Sequence, residues 1–103
     1  MRKVIDGLLF NTETASQVAH WDNGKLPGDF HRLEETLYRT PNGRWFVHGR
    51  GGAMTRYSEP AGNGHSGGQE IRVLTQAEAQ SWLEKHDRIE ALDEWFSEEI
   101  SPA

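Results

Sequence analysis

Five histidines could carry acid–base or metal chemistry in this chain: His20, His31, His48, His65 and His86. Each lies 11 residues or more from the next, so no H-x-H or H-x-x-x-H ligand pair exists, and no cysteine supplies a thiolate. A metal centre would have to be assembled from distant segments; neither a metal nor another cofactor is expected. His65 stands beside Ser66, which suggests a nucleophile next to a base. Such a pair works only on a rigid support. Residues 59–70 carry four glycines and no large apolar side chain, the composition of a flexible surface loop. A small enzyme with a site at His48 or His65 is therefore the last of three readings; the chain is not expected to be an enzyme, and no catalytic residue is assigned. Gly62-Asn63-Gly64-His65-Ser66-Gly67 matches G-x-G-x-x-G. The nucleotide fingerprint needs a strand before it and a helix after it, whereas here a strand follows. The adjacent acids Glu34-Glu35 and Glu98-Glu99 point apart on a strand or helix, unlike the facing pair of a glycosidase, and are expected in solvent.

Two other groups suit binding. Arg39, Arg44, Arg50, Arg56 and Arg72 interleave with Tyr38, Trp45, Phe46 and Tyr57, the mixture that builds single-strand nucleic-acid platforms. The competing reading has arginines edging strands and aromatics filling a core. The second group is acidic. Residues 1–74 hold eight acids and nine bases, whereas residues 75–103 hold eight acids against Lys85 and Arg88. The net charge of −5 is thus +1 in the first region and −6 in the last 29 residues. An acidic block repels phosphate and draws basic protein surfaces. Asp93, Glu94, Glu98 and Glu99 are the candidate contacts. Trp95 is the candidate apolar anchor, because Trp95 and Phe96 lie about 100° apart on a helix and cannot share the centre of one buried stripe.

The elements that position these groups read as follows. Val4-Ile5 and Leu8-Leu9-Phe10 form short strands around Asp6-Gly7, a type I′ hairpin turn. Asn11 or Thr12 caps a helix over 13–21 that ends at Asn23-Gly24, and residues 23–34 form an irregular loop. Residues 35–40 and 44–49 make a hairpin about Pro41-Asn42-Gly43, with Arg39 opposite Trp45, Tyr38 opposite Phe46 and Leu37 opposite Val47. Leu37, Trp45 and Val47 share one face, and Tyr38, Phe46 and His48 the other. Both faces are partly apolar, which places this hairpin mid-sheet with cover on each side. Residues 51–57 suggest a further strand and residues 71–74 another. Thr75 and Glu78 form a capping box before a helix over about 76–86. Asp87 caps a second helix with the stripe Ile89, Leu92, Trp95, Phe96 and Ile100.

At 103 residues and 11.7 kDa, the chain is one α+β domain. Its expected architecture is a small, mainly antiparallel sheet of four to five strands, one N-terminal helix and a C-terminal helix pair. A compact chain of this mass exposes roughly 5,900 Å² and holds one modest core. The start, Met1-Arg2-Lys3-Val4-Ile5-Asp6, turns polar too soon for a signal peptide, and no apolar run approaches a membrane span. A cytoplasmic location and no membrane partner are expected.

Four segments in order carry a resemblance: Phe10-Asn11-Thr12-Glu13-Thr14-Ala15; Glu35 to Thr40; Gly51-Gly52-Ala53-Met54 with Tyr57; and Leu74-Thr75 leading into Trp82-Leu83-Glu84. Over most of its length the chain resembles small bacterial proteins carried by phages, plasmids and other mobile elements. Such elements encode small acidic inhibitors, anti-CRISPR proteins among them, that act by occluding protein surfaces. The resemblance implies a binder rather than an enzyme and transfers no residue roles. The leading expectation is an acidic protein-binding module, an anti-CRISPR-like inhibitor covering a basic surface on a target such as a nucleic-acid-binding complex. The alternative is a nucleic-acid or regulatory module using Arg39, Arg44, Arg50 and Arg56, which the overall acidity disfavours.

Overall fold

Asp6 and Gly7 both take positive φ, 51° and 78°, as a type I′ turn demands. They join β1 (Arg2–Ile5) to β2 (Leu8–Asn11), with Ile5 opposite Leu8. In this computed structural model, which describes all 103 residues, the next segment departs from expectation. Residues 13–21 are not a helix: β3 (Ser16–Asp22) is a strand. A nine-residue helix with a narrow apolar stripe is marginal by itself. As a strand the same residues gain a full ladder, running from Ser16 opposite Arg39 to Asp22 opposite Glu34. A bulge between Gln17 and Ala19 lets Val18 and Ala19 pack against the same apolar cluster. Asn11 closes a turn instead of capping a helix, its side chain accepting from the Glu13 amide at 2.9 Å.

β4 (Leu33–Arg39) and β5 (Trp45–Gly51) form the expected hairpin in the expected register. Gly43 takes φ 82° in its turn. β5 then stops at Gly51, and residues 52–58 turn back across the sheet instead of forming a strand. The glycine-rich stretch is partly ordered as an exposed two-strand hairpin, β6 (Glu59–Ala61) and β7 (Gly64–Ser66), which leads into β8 (Gly68–Leu74). The main sheet has the order β3-β4-β5-β8, all antiparallel. The fold is thus α+β with one four-stranded sheet, two separate hairpins and both helices at the C-terminal end.

The Thr75–Glu78 capping box forms as the sequence requires, through bonds of 3.1 and 2.9 Å. It starts α1 (Gln76–Lys85), and α2 (Ile89–Trp95) follows after a sharp corner. Asp87 does not cap α2. It takes the left-handed φ of 53° that makes the corner, and Arg88 occupies the cap without a side-chain bond. Ile89 and Ile100 fall outside the buried stripe and are exposed. Phe96 ends α2, and a single 3₁₀ turn covers Ser97–Glu99.

The helices lie on one face of the sheet, where Ala79, Trp82, Leu83, Leu92 and Phe96 meet Leu37, Trp45 and Val47. On the other face Phe10 from the first hairpin packs on Phe46 and Ile71, with Tyr38 alongside. The central hairpin is therefore covered on both sides, as its two apolar faces require. Only 16 residues are buried. The surface is 6840 Å² and the radius of gyration 15.0 Å, against about 13 Å for a compact chain of this length. The molecule is a plate, 49 × 34 × 19 Å, because one face carries helices and the other only a small hairpin. No helix is long and apolar enough to cross a membrane.

Candidate functional site

Alternation along β4 sends Glu34 and Glu35 to opposite faces. They do point apart, but neither is free in solvent. Glu35 shares the helix-covered face with Leu37 and is 4% exposed. Its Oε2 accepts from the Tyr57 hydroxyl at 2.5 Å and from Arg72 Nη2 at 3.1 Å, and its Oε1 accepts from Trp82 Nε1 at 2.9 Å. Arg56 Nη1 stands 3.6 Å away. One carboxylate thus ties β4 to the 52–58 turn, to β8 and to α1. Gly49, opposite Glu35 in the ladder, makes the room: a Cβ there would overlap Cζ and Oη at the hydroxyl end of Tyr57.

Burial pushes the Glu35 carboxyl up, but the bonds from Tyr57 and Trp82 and the charges of Arg72 and Arg56 outweigh it, so the net shift is downward. Burial and the Glu35 bond push the Tyr57 hydroxyl up to about 12. Burial also raises Tyr38. These are the only tyrosines. A spectrophotometric titration should therefore show neither ring ionising at the ordinary value of about 10. Because the folded Tyr57 value is raised, its stabilisation is complete below pH 10 and is lost as pH rises from there toward 12. Tyrosinate absorbance at pH 10 equal to that of the unfolded chain would contradict this geometry.

On the opposite face, Glu34 holds Arg50 and Arg32, the latter at 3.1 Å, with His20 Nε2 at 3.9 Å. Beyond them a cleft of about 820 Å³ opens at the end of the sheet, lined among others by Glu34, Arg50, Glu59, His65 and Gln69. It mixes both charges, and Glu34 already engages both of its arginines. His48 Nε2 contacts Gln69 Oε1 at 2.8 Å. His65 and Ser66 are neighbours on β7, so their side chains leave opposite faces. His86 lies against Trp21 and Trp82, ring centroids at 4.3 and 4.6 Å, where burial pushes its pKa down. No group of three His, Asp or Glu side chains could hold a metal ion.

The candidate arginines do not converge on one surface. Arg39 lies over Trp45 and Trp95, at 4.9 and 5.4 Å. Arg44 sits beside the hairpin turn. Arg50 is held by Glu34 on one face, and Arg56 stands by Glu35 on the other. The aromatic rings are equally engaged, Tyr38 stacked on Phe46 at 5.0 Å and Trp45 on Phe96 at 5.1 Å.

The acidic end is different. Glu90, Asp93, Glu94, Glu98 and Glu99 are all exposed. None of their carboxylates makes a hydrogen bond or an ion pair, and the carboxylates that do pair ionically are Asp29, Glu34 and Glu35. Trp95 is half-buried among them, its ring edge-on to Trp45 at 5.8 Å. No family model, curated protein or solved structure matches this chain. The roles of its residues rest on geometry and charge. Sequence reasoning missed the Glu35 cluster, with Tyr57, Arg72 and Trp82. The signal was there: the hairpin register puts Leu37 on a core face, and Glu35 two residues earlier shares it.

Proposed function

We propose that this chain is a protein-binding module, an inhibitor of the kind mobile elements carry, whose acidic helical end occludes a basic surface on its target. One observation supports the reading: all five acids of α2 and the following turn stand exposed without any intramolecular cation. Charge left uncompensated within a fold is available to a partner, where it raises the association rate and selects against acidic competitors. Asp93, Glu94, Glu98 and Glu99 supply the field, and the exposed part of Trp95 supplies an apolar contact beside them. The proposal involves no reaction and no cofactor.

Reversal of the four acids (D93K, E94K, E98K and E99K together) tests it. The immobilised wild-type chain should retain basic proteins from a bacterial lysate at low salt, and the reversed chain should lose them with an unchanged circular dichroism spectrum. Equal retention by the two chains would overturn the reading.

A further inference from the structure

The two edges of the main sheet are built differently. The β3 edge carries the bulge at Gln17/Ala19, and Arg88 Nε donates to the His20 carbonyl there at 3.0 Å. The β8 edge has seven residues in unbroken register with β5 and contains no proline, lysine or bulge. The Thr40–Arg44 backbone bond of 2.8 Å sets the phase of the ladder. Counting in twos from it, Gly68, Glu70, Arg72 and Leu74 bond to β5, while Gln69, Ile71 and Val73 turn their N–H and C=O groups outward. No backbone or side-chain bond within the chain reaches those outward groups. An open edge of this kind is a template for another strand.

We infer that the β8 edge pairs with β8 of a second copy of this chain, antiparallel about Ile71, to make a two-fold dimer with a continuous eight-stranded sheet. Charge selects the occupant and the register. Only the three outward residues can form hydrogen-bonded pairs, so registers differ in steps of two. Centred on Ile71, Gln69 faces Val73 of the other copy, and Glu70 faces its Arg72, twice by symmetry. A shift one way sets Glu70 against Glu70; a shift the other way sets Arg72 against Arg72. Like charges directly opposite destabilise a ladder. Arg72 can take the second carboxylate, because its Nε and Nη2 are used by Tyr57 and Glu35 while Nη1 makes no bond. The pairing also covers Val73, which is 43% exposed.

Sedimentation equilibrium of the full chain should give twice the 11.7 kDa of one copy. Val73→Pro removes an outward donor without touching the bonds to β5, and Glu70→Arg turns both cross-strand pairs repulsive. Each should weaken the dimer roughly tenfold or more while leaving the monomer fold intact by circular dichroism. The chain has no native cysteine, so the register can be read directly. Mixed Gln69→Cys and Val73→Cys chains should cross-link to each other on oxidation, and each alone should not. A monomer at about millimolar concentration would overturn the inference. So would a dimer indifferent to both variants, or cross-linking within a single variant.

Discussion

Replacing Glu35 by alanine should destabilise the fold by about 3–5 kcal/mol, the range for removing one partner from a buried ion pair. The carboxylate accepts from three donors that the fold has drawn wholly or partly out of water: the Tyr57 hydroxyl, Trp82 Nε1 and Arg72 Nη2. Without it, each donor carries its desolvation cost uncompensated, and Arg72 becomes a half-buried unpaired cation. Natural domains of this size hold about 5–15 kcal/mol in all, so the loss would take a large share of the total. Glu35→Gln keeps one oxygen but turns amide hydrogens toward donors, and should recover only part of it. Urea unfolding followed by tryptophan fluorescence measures both variants. A loss below about 1 kcal/mol, the worth of an ordinary hydrogen bond, would show that the cluster is not a keystone. The pH dependence carries a defined sign. The folded Glu35 value lies below the ordinary one of 4.5, so its stabilisation is present above about pH 4.5 and is lost as pH falls through the folded value. The alanine variant should lack that part of the acid transition.

Gly49→Ala is expected to cost about 3 kcal/mol, at the upper end for overpacking. The backbone itself tolerates alanine, since Gly49 does not have positive φ. The obstacle is the Tyr57 ring, which occupies the place of the new methyl group. The ring must leave or the strand must bulge, and either response breaks the Tyr57–Glu35 bond. Two readouts separate this from a general loosening. The Tyr57 hydroxyl should titrate close to 10 in the variant instead of about 12. The penalty of Gly49→Ala should also shrink in a Tyr57→Ala background, where the methyl group has room, giving a coupling energy between the two sites. Additive losses would place the cost elsewhere.

The legible and illegible parts of this fold differ in how far their interactions reach along the chain. The Asp6-Gly7 turn, the Pro41-Asn42-Gly43 hairpin with its register, and the Thr75–Glu78 cap are set by contacts between residues at most four apart: Ile5 with Leu8, Thr40 with Arg44, and Thr75 with Glu78. Backbone sterics and side-chain capping decide such features locally. Residues 13–22 show the limit. Their weak helical stripe was overridden by a ladder with β4, whose paired residues lie 12 to 23 positions away, as tertiary pairing routinely overrides propensity. Asp87 failed as a cap for a related reason: the corner between α1 and α2 had to bring Leu92 and Phe96 onto Trp45, and a left-handed residue makes that corner.

The sequence alone determined the α+β class, the central two-faced hairpin and the separation of charge into a near-neutral sheet region and an acidic helical end. All of these follow from residue order, period and count. Only the tertiary structure decided which charges remain free. Glu35 was brought to Tyr57, Arg72 and Trp82 across separations of 22, 37 and 47 residues, and Glu34 captured Arg50 across 16. The acids of 90–99 met no cation at all. Ion pairing depends on distances of a few ångströms between side chains far apart in sequence, and burial then multiplies its strength. Neither quantity exists until the sheet, the turn and the helices have packed together.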